Sequence, residues 1–160
     1  MKIWEILFIG IFATISIDVW ALILNKVFKL PITNWGMVGR WVGHIPQGKF
    51  TNSSIKDVVE IKNEHAIGWL LHYVIGFIFA YFYIFIAAEH KPSLTSAVVF
   101  GWLTVVFPWF VLQPGLGLGM FARFAAKPNV VRLINLSIHT VFGASLYFGG
   151  IFLSLIGSKQ

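Results

Sequence analysis

The 160-residue chain lacks cysteine and carries little charge. Without cysteine it cannot form disulfides, Cys-ligated zinc sites or iron–sulfur clusters, and it cannot use thiol catalysis. Charged residues make up 11% of the chain, whereas about a quarter is usual in a soluble domain. Hydrophobic residues make up 58%, and the mean hydropathy is +0.80. This composition predicts a small multi-pass membrane protein.

Four apolar blocks carry this hydrophobicity, and each is about 20 residues long, which suits a helix that crosses a bilayer. Successive residues of each block are apolar, which excludes the alternating pattern of membrane β-strands. The predicted fold is all-α: a single transmembrane domain over residues 1–160, built as an integral membrane four-helix bundle. The predicted helices are 3–24, 66–88, 94–112 and 133–156, with loops at 25–65 and 113–132.

The first apolar block begins like a signal peptide, with Lys2 in front of it. The apolar run continues past Val19-Trp20-Ala21 to Leu24, and tryptophan is not the small residue that a cleavage site needs. We therefore expect an uncleaved membrane anchor.

Twelve Lys and Arg against six Asp and Glu give a net charge of +6. Because these basic residues lie between apolar blocks, they indicate membrane topology and no nucleic-acid partner. Nine of the twelve lie in the two loops, and the others are Lys2, Lys91 and Lys159. The positive-inside rule then predicts cytoplasmic loops and both termini outside the cytoplasm of a bacterial inner membrane. The lipid bilayer is the expected partner, and a homodimer or a larger membrane complex is compatible with four helices.

The long loop between the first two helices contains an unusual segment. Residues 35–42 combine two tryptophans and several apolar residues with Arg40. That mixture is typical of a short helix lying at the membrane interface, with tryptophan at headgroup depth. We predict such an interfacial helix over Trp35–His44.

The second loop begins with Pro114 and a glycine-rich run, with basic residues close behind. Glycine lets the backbone approach a ligand closely, so this loop is a candidate site for an anionic lipid headgroup or a phosphate. The candidate residues are Gly115, Gly117, Gly119 and Arg123.

Asp18, His72 and His139 are ionisable residues that lie well inside the apolar blocks. Each is six or seven residues from the cytoplasmic end of its predicted helix, which is about 9–10 Å of helix. Since a charged group at membrane depth needs a partner or water, we predict that the three face one another inside the bundle. Gln113 and His44 approach the same level, so we add them to the candidate ligand or proton site.

The second and fourth helices share a pattern. His72 is followed after three residues by Gly76, and His139 is followed in the same way by Gly143. Small residues next to each histidine allow close helix approach. The repeat predicts two pseudo-repeated helical hairpins of like orientation.

Several motifs in order along the chain resemble one bacterial family of integral membrane proteins, domain of unknown function 2938. The motifs are Asp18-Val19-Trp20, Gly39-Arg40-Trp41-x2-His44, Gly48-Lys49-Phe50, Gly68-Trp69-x2-His72-Tyr73, Pro108-Trp109-x3-Gln113-Pro114-Gly115-x-Gly117-x-Gly119 and His139-x2-Phe142-Gly143-x3-Tyr147. The resemblance covers nearly the whole chain and implies a four-helix inner-membrane protein. It implies no particular activity.

The residues leave three functions open. The first is a small transport or proton-relay protein with an intramembrane Asp/His site, because carboxylate and histidine chains relay protons. The second is a non-enzymatic accessory or assembly subunit of a membrane complex. The third is a haem- or metal-binding redox protein, with Asp18, His72 and His139 as ligands. No catalytic residue set is evident, and the sequence favours a non-enzymatic role over an enzyme.

Overall fold

The computed structural model describes residues 2–89 and 92–157, and these residues form helices joined by loops. The helices are α1 (Ile3–Phe28), α2 (Trp35–His44), α3 (Glu64–Glu89), α4 (Leu94–Thr104), α5 (Gln113–Gly115) and α6 (Pro128–Gly157). A π-helical turn at Pro108–Leu112 precedes α5, and 3₁₀ turns occur at Ile45–Gln47, Ile55–Asp57 and Met120–Ala122. No strand occurs in the described part of the chain, which confirms the predicted all-α fold.

Within the described residues, four helical stretches are long and apolar enough to cross a membrane. They are Ile3–Phe28, Glu64–Ala87, Leu94–Gly115 and Pro128–Ile156. The prediction of four membrane-spanning helices is therefore confirmed. Lys91 and Lys159, which enter the prediction of orientation, lie outside the described residues.

The first and last spans are longer than predicted. The helix α1 continues past the apolar run through Asn25 to Phe28, and it ends where Lys29 adopts a left-handed conformation (φ 55°). Asn25 Nδ2 donates to Leu30 O at 2.8 Å, which helps to close this end. The helix α6 begins at Pro128, since proline suits the first turn of a helix. Both helices thus extend beyond the apolar residues that predict them.

The described residues divide into two compact units. Unit 1 comprises Met1–Leu30, Tyr73–Thr104 and Leu136–Gln160, and unit 2 comprises Pro31–His72 and Val105–Asn135.

Unit 1 is a four-helix bundle made from parts of α1, α3, α4 and α6. Its buried core contains mostly small and aliphatic side chains, which lets the helices approach closely. In α1 and α6, Phe8 stacks on Phe152 at 5.8 Å between ring centroids, whereas Trp20 bonds to Ser137. A later residue of α1 thus meets an earlier residue of α6, so the two helices are antiparallel. The core consists of Ile9, Ala13, Ala80, Tyr83, Ala97, Phe142 and Leu146.

Two glycines mark the closest helix contacts in unit 1. Gly76 of α3 packs against Thr14 of α1, and Gly143 of α6 packs against the backbone of Ala97 in α4. A Cβ at either glycine would collide with the facing helix. Both glycines belong to the His-x3-Gly pattern, so the same kind of contact joins α1 to α3 and α4 to α6.

Gly143→Ala should lower the free energy of unfolding by about 1–3 kcal/mol, because the added methyl group has no space against the Ala97 carbonyl. Gly150→Ala is the matched control, since a Cβ at Gly150 meets nothing within 4 Å. Denaturant unfolding of both variants in detergent micelles measures the difference. Equal stability of the two variants would contradict the packing described here.

In unit 2, α2 lies directly against the first turns of α3. Gly39 packs on the Glu64 carbonyl and on Gly68, and Gly68 packs on the Trp35 carbonyl. Asn34 starts α2, because its side chain accepts a hydrogen bond from Met37 N at 3.3 Å. The predicted helix over Trp35–His44 is therefore present, and its location at the membrane interface stays a prediction.

A buried arginine fastens α2 to α3. The Arg40 side chain donates through Nε and Nη2 to both carboxylate oxygens of Glu64, each at 2.9 Å. It also donates to Glu60 at 2.8 Å and to the Val58 carbonyl at 3.2 Å. The hydrogen bond with Glu64 raises the pKa of Arg40 above its usual value, although burial opposes this. The guanidinium therefore keeps its charge at any physiological pH.

Glu64→Gln should lower the free energy of unfolding by about 3 kcal/mol, because it leaves the buried Arg40 charge without its bidentate partner. Glu60→Gln should cost less than about 1 kcal/mol, since the Glu60 side chain is 81% exposed. Thermal unfolding of both variants in the same detergent compares them directly. A larger loss for Glu60→Gln than for Glu64→Gln would refute this assignment.

Candidate functional site

Asp18, the only acidic residue well inside a predicted span, has a hydroxyl partner in unit 1. The Tyr73 hydroxyl of α3 donates to Asp18 Oδ2 of α1 at 3.1 Å. Both helices are long apolar spans, so this bond joins two polar groups within the membrane-spanning part of the chain. A phenol is uncharged, and it stabilises the carboxyl group by hydrogen bonding without neutralising it.

His139 of α6 is bonded to the hydroxyl of Thr104 in α4. Thr104 Oγ1 lies 2.7 Å from His139 Nδ1 and 2.6 Å from the Gly101 carbonyl. Because the carbonyl can only accept, Thr104 donates its one hydroxyl proton to Gly101. His139 Nδ1 must then carry a proton and donate to Thr104, which leaves Nε2 as the basic nitrogen of the neutral ring.

These two pairs lie at one level of the bundle. Trp20 Nε1 of α1 donates to Ser137 Oγ of α6 at 3.2 Å. Asp18 lies two residues before Trp20, and His139 lies two residues after Ser137. Since α1 and α6 are antiparallel, both are displaced in the same direction by about 3 Å. Asp18, Tyr73, Thr104 and His139 therefore share one level of unit 1, and we call these four residues the polar layer.

The remaining predicted residues belong to unit 2. His72 stacks on Trp35 with 4.0 Å between ring centroids. His44 lies on α2 and is buried, with Nε2 3.0 Å from the Val59 carbonyl. Gln113 is also buried, and its Nε2 donates to Asn135 Oδ1 at 2.7 Å. The structure thus gives each residue a local partner, and the convergence of all five predicted residues on one site stays a prediction.

Tyr73 and Thr104 are missing from the predicted site, although the sequence contains a signal for both. Tyr73 is seven residues after Ala66, where the second apolar block begins, and Thr104 is eight residues before Leu112, where the third block ends. Counting residues from the cytoplasmic end of each predicted helix selects the aspartate and the two histidines. The same counting therefore also selects these two hydroxyls. The prediction omits them because a hydroxyl group in an apolar block does not require a partner as a charged group does.

Across residues 2–89 and 92–157, no group of three or more His, Cys, Asp or Glu side chains is arranged to hold a metal ion. A metal site formed by Asp18, His72 and His139 stays a prediction.

The glycine-rich loop packs within unit 2. Asn52 Nδ2 donates to the Gly115 carbonyl at 2.6 Å, and the Gly117 amide donates to the Pro114 carbonyl at 3.1 Å. Gly117 and Gly119 both have positive φ angles, 84° and 67°, which explains the need for glycine there. The Arg123 guanidinium lies 4.5 Å from the centre of the Phe124 ring. Binding of an anionic headgroup by this loop stays a prediction.

A helical chain with four apolar spans and polar pairs between those spans is an integral membrane protein. Its sequence matches the model of one family, described as "Protein of unknown function (DUF2938)", over residues 7–153. The chain belongs to this family, as its motifs indicate. No curated protein and no solved structure matches it.

Tyr73→Phe should lower the free energy of unfolding by about 1–3 kcal/mol, because Asp18 then loses a hydrogen-bond donor within a span. Tyr81→Phe on the same helix is the control, since the Tyr81 side chain is 46% exposed. Denaturant unfolding in nanodiscs measures both variants. If both changed stability equally, the Tyr73–Asp18 bond would have no special part in the bundle.

Proposed function

We propose that this protein moves protons, or a small solute coupled to protons, across the membrane through the polar layer. The observation that carries the proposal is the common level of Asp18 and His139, each bonded to a hydroxyl inside unit 1. Carboxylates and imidazoles within membrane spans are costly, and they are typical of proton pathways. The side chains that form the core of unit 1 are mostly apolar. Asp18 and His139 are therefore its candidate proton carriers.

The chemistry of the four side chains suits proton transfer. A hydroxyl can donate one hydrogen bond while it accepts another, so Tyr73 can exchange a proton with Asp18 without becoming a charged carrier itself, whereas Thr104 orients the His139 ring. The imidazole of His139 can accept a proton at Nε2 while Nδ1–H is held by Thr104. Asp18 is the second group that can bind and release a proton.

The same proposal includes an orientation. Nine basic residues in the two long loops favour a cytoplasmic location for both loops and an external location for both termini. This arrangement corresponds to a bacterial inner membrane, where a proton gradient is available to drive a coupled solute. The two long loops would then meet the cytoplasm.

Proton flux into liposomes tests the proposal. The purified protein is reconstituted with a pH-sensitive dye inside the vesicles, and a potassium diffusion potential drives protons inward. Asp18→Asn and His139→Gln should each lower the flux roughly tenfold or more, which equals at least about 1.4 kcal/mol on the barrier. Both substitutions keep the size and hydrogen-bonding capacity of the side chain but remove its titration.

Asp57→Asn and His65→Gln are the matched controls, because both side chains are exposed and lie in unit 2. They should leave the flux unchanged. Flux equal to that of empty liposomes for the unaltered protein would contradict the proposal and favour the accessory or assembly role. Unchanged flux in Asp18→Asn and His139→Gln would show that the polar layer carries no protons.

A further inference from the structure

The π-helical turn at Pro108–Leu112 leaves two buried polar atoms unpaired. Among residues 2–89 and 92–157, neither Trp109 Nε1, a donor, nor Gln113 Oε1, an acceptor, has a hydrogen-bond partner. Gln113 is only 4% exposed. The two residues are four positions apart, so their side chains leave neighbouring points of the helix surface, with Cβ atoms about 5–6 Å apart.

The backbone of this turn adds a third polar atom. In an α- or π-helix the Trp109 carbonyl would accept from the amide of residue 113 or 114. The Gln113 amide instead donates to the Pro108 carbonyl, and residue 114 is proline, which has no N–H. Neither position 113 nor position 114 therefore donates to the Trp109 carbonyl.

The Gln113 side chain is held in place through its amide nitrogen. Its Nε2 donates to Asn135 Oδ1 at 2.7 Å, which uses the amide nitrogen and directs Oε1 away from Asn135. Rotation of the side chain toward another donor would break this bond. With the amide nitrogen held in this way, Oε1 is left to accept from a separate donor.

An aromatic side chain covers the turn. The Phe121 ring lies 4.9 Å from the Trp109 ring and 4.6 Å from the Phe110 ring, between centroids. Phe121 and Ala122 both adopt left-handed backbone conformations (φ 55° and 53°), which are rare for residues other than glycine. Arg132 Nε donates to the Phe121 carbonyl at 2.9 Å and holds it in place. Strained backbone of this kind is concentrated at ligand sites and switches.

We propose that this turn binds a small neutral molecule bearing a hydroxyl group, with water as the smallest such molecule. The hydroxyl oxygen accepts from Trp109 Nε1, and the hydroxyl proton is donated to Gln113 Oε1. A bridging oxygen makes each hydrogen bond at about 2.9 Å, so the proposal requires Trp109 Nε1 and Gln113 Oε1 to lie within about 5.8 Å of each other. Phe121 closes the site. The groups that face the ligand are uncharged, which is why the ligand is neutral.

This site is independent of proton movement, because none of its residues belongs to the polar layer. Its test therefore reads out the ligand directly. The protein is labelled with ¹⁵N at the tryptophan indoles, placed in nanodiscs and studied by NMR. Trp109→Phe identifies the Trp109 resonance. Trp102 is the internal control, since its Nε1 already donates to Thr140 Oγ1 at 2.8 Å.

We expect a magnetisation-transfer peak between the Trp109 indole proton and water, and none for Trp102. Ethanol then serves as the probe for a larger hydroxyl. Loss of the water peak with a new peak to ethanol protons shows that the site accepts alcohols, and an unchanged water peak shows that it holds water alone. Both outcomes support the site. The absence of any peak at Trp109, to water or to ethanol, overturns it.

Two variants extend the test. Gln113→Met removes the acceptor and should weaken or abolish the peak to water, whereas the Trp102 resonance should stay in place. Phe121→Ala should raise the rate at which the Trp109 indole proton exchanges with D₂O several-fold, because the ring that covers it is gone. If neither variant changes the Trp109 signal while the Trp102 signal shows a folded protein, the proposal fails.

Discussion

The polar groups of this chain are placed by a constraint that the bilayer imposes: inside hydrocarbon there is no water to complete a hydrogen bond. Unit 1 meets the constraint in part with side-chain bonds that join one span to another. Tyr73 binds Asp18, His139 binds Thr104, and Trp20 binds a serine of α6. Each bond needs a particular pair of residues at the same height. The polar side chains therefore fix the register of helices whose apolar surfaces could slide past one another.

Close backbone approach makes these bonds possible. Gly76 lets the Thr14 side chain of α1 pack directly on α3, and Gly143 lets α6 meet the backbone of α4, so that short hydroxyls such as that of Thr104 reach across. The same combination recurs in unit 2, where Gly39 brings α2 against α3 and the buried Arg40 pairs with an acidic residue of α3. There the bonded groups are charged, and their bidentate geometry compensates the cost of burial.

The sequence predicts the parts of this fold that depend on composition and misses those that depend on distant pairing. Apolar length alone identifies four spans, and intramembrane charge alone selects Asp18. Helix ends are less predictable, because α1 continues through Asn25 after its apolar run has ended. The partner of Arg40 is 24 residues away across a loop, and no periodicity joins the two. Hydroxyl partners such as Tyr73 are missed for a similar reason, since nothing in a single sequence specifies which span faces which.

The identity of these partners bears on what the ionisable groups can do. An ion pair between an aspartate and a histidine would hold both in their charged forms and favour a structural role. A hydroxyl acts differently, because it can donate to a carboxylate and accept from a protonated carboxyl group. The bond between Tyr73 and Asp18 can therefore persist whether or not Asp18 carries a proton. Thr104 likewise accepts from His139 Nδ1–H in the neutral and in the charged ring, while Nε2 gains or loses its proton. Pairing with hydroxyls can thus keep the helices in register in either protonation state, which is compatible with the proposed relay.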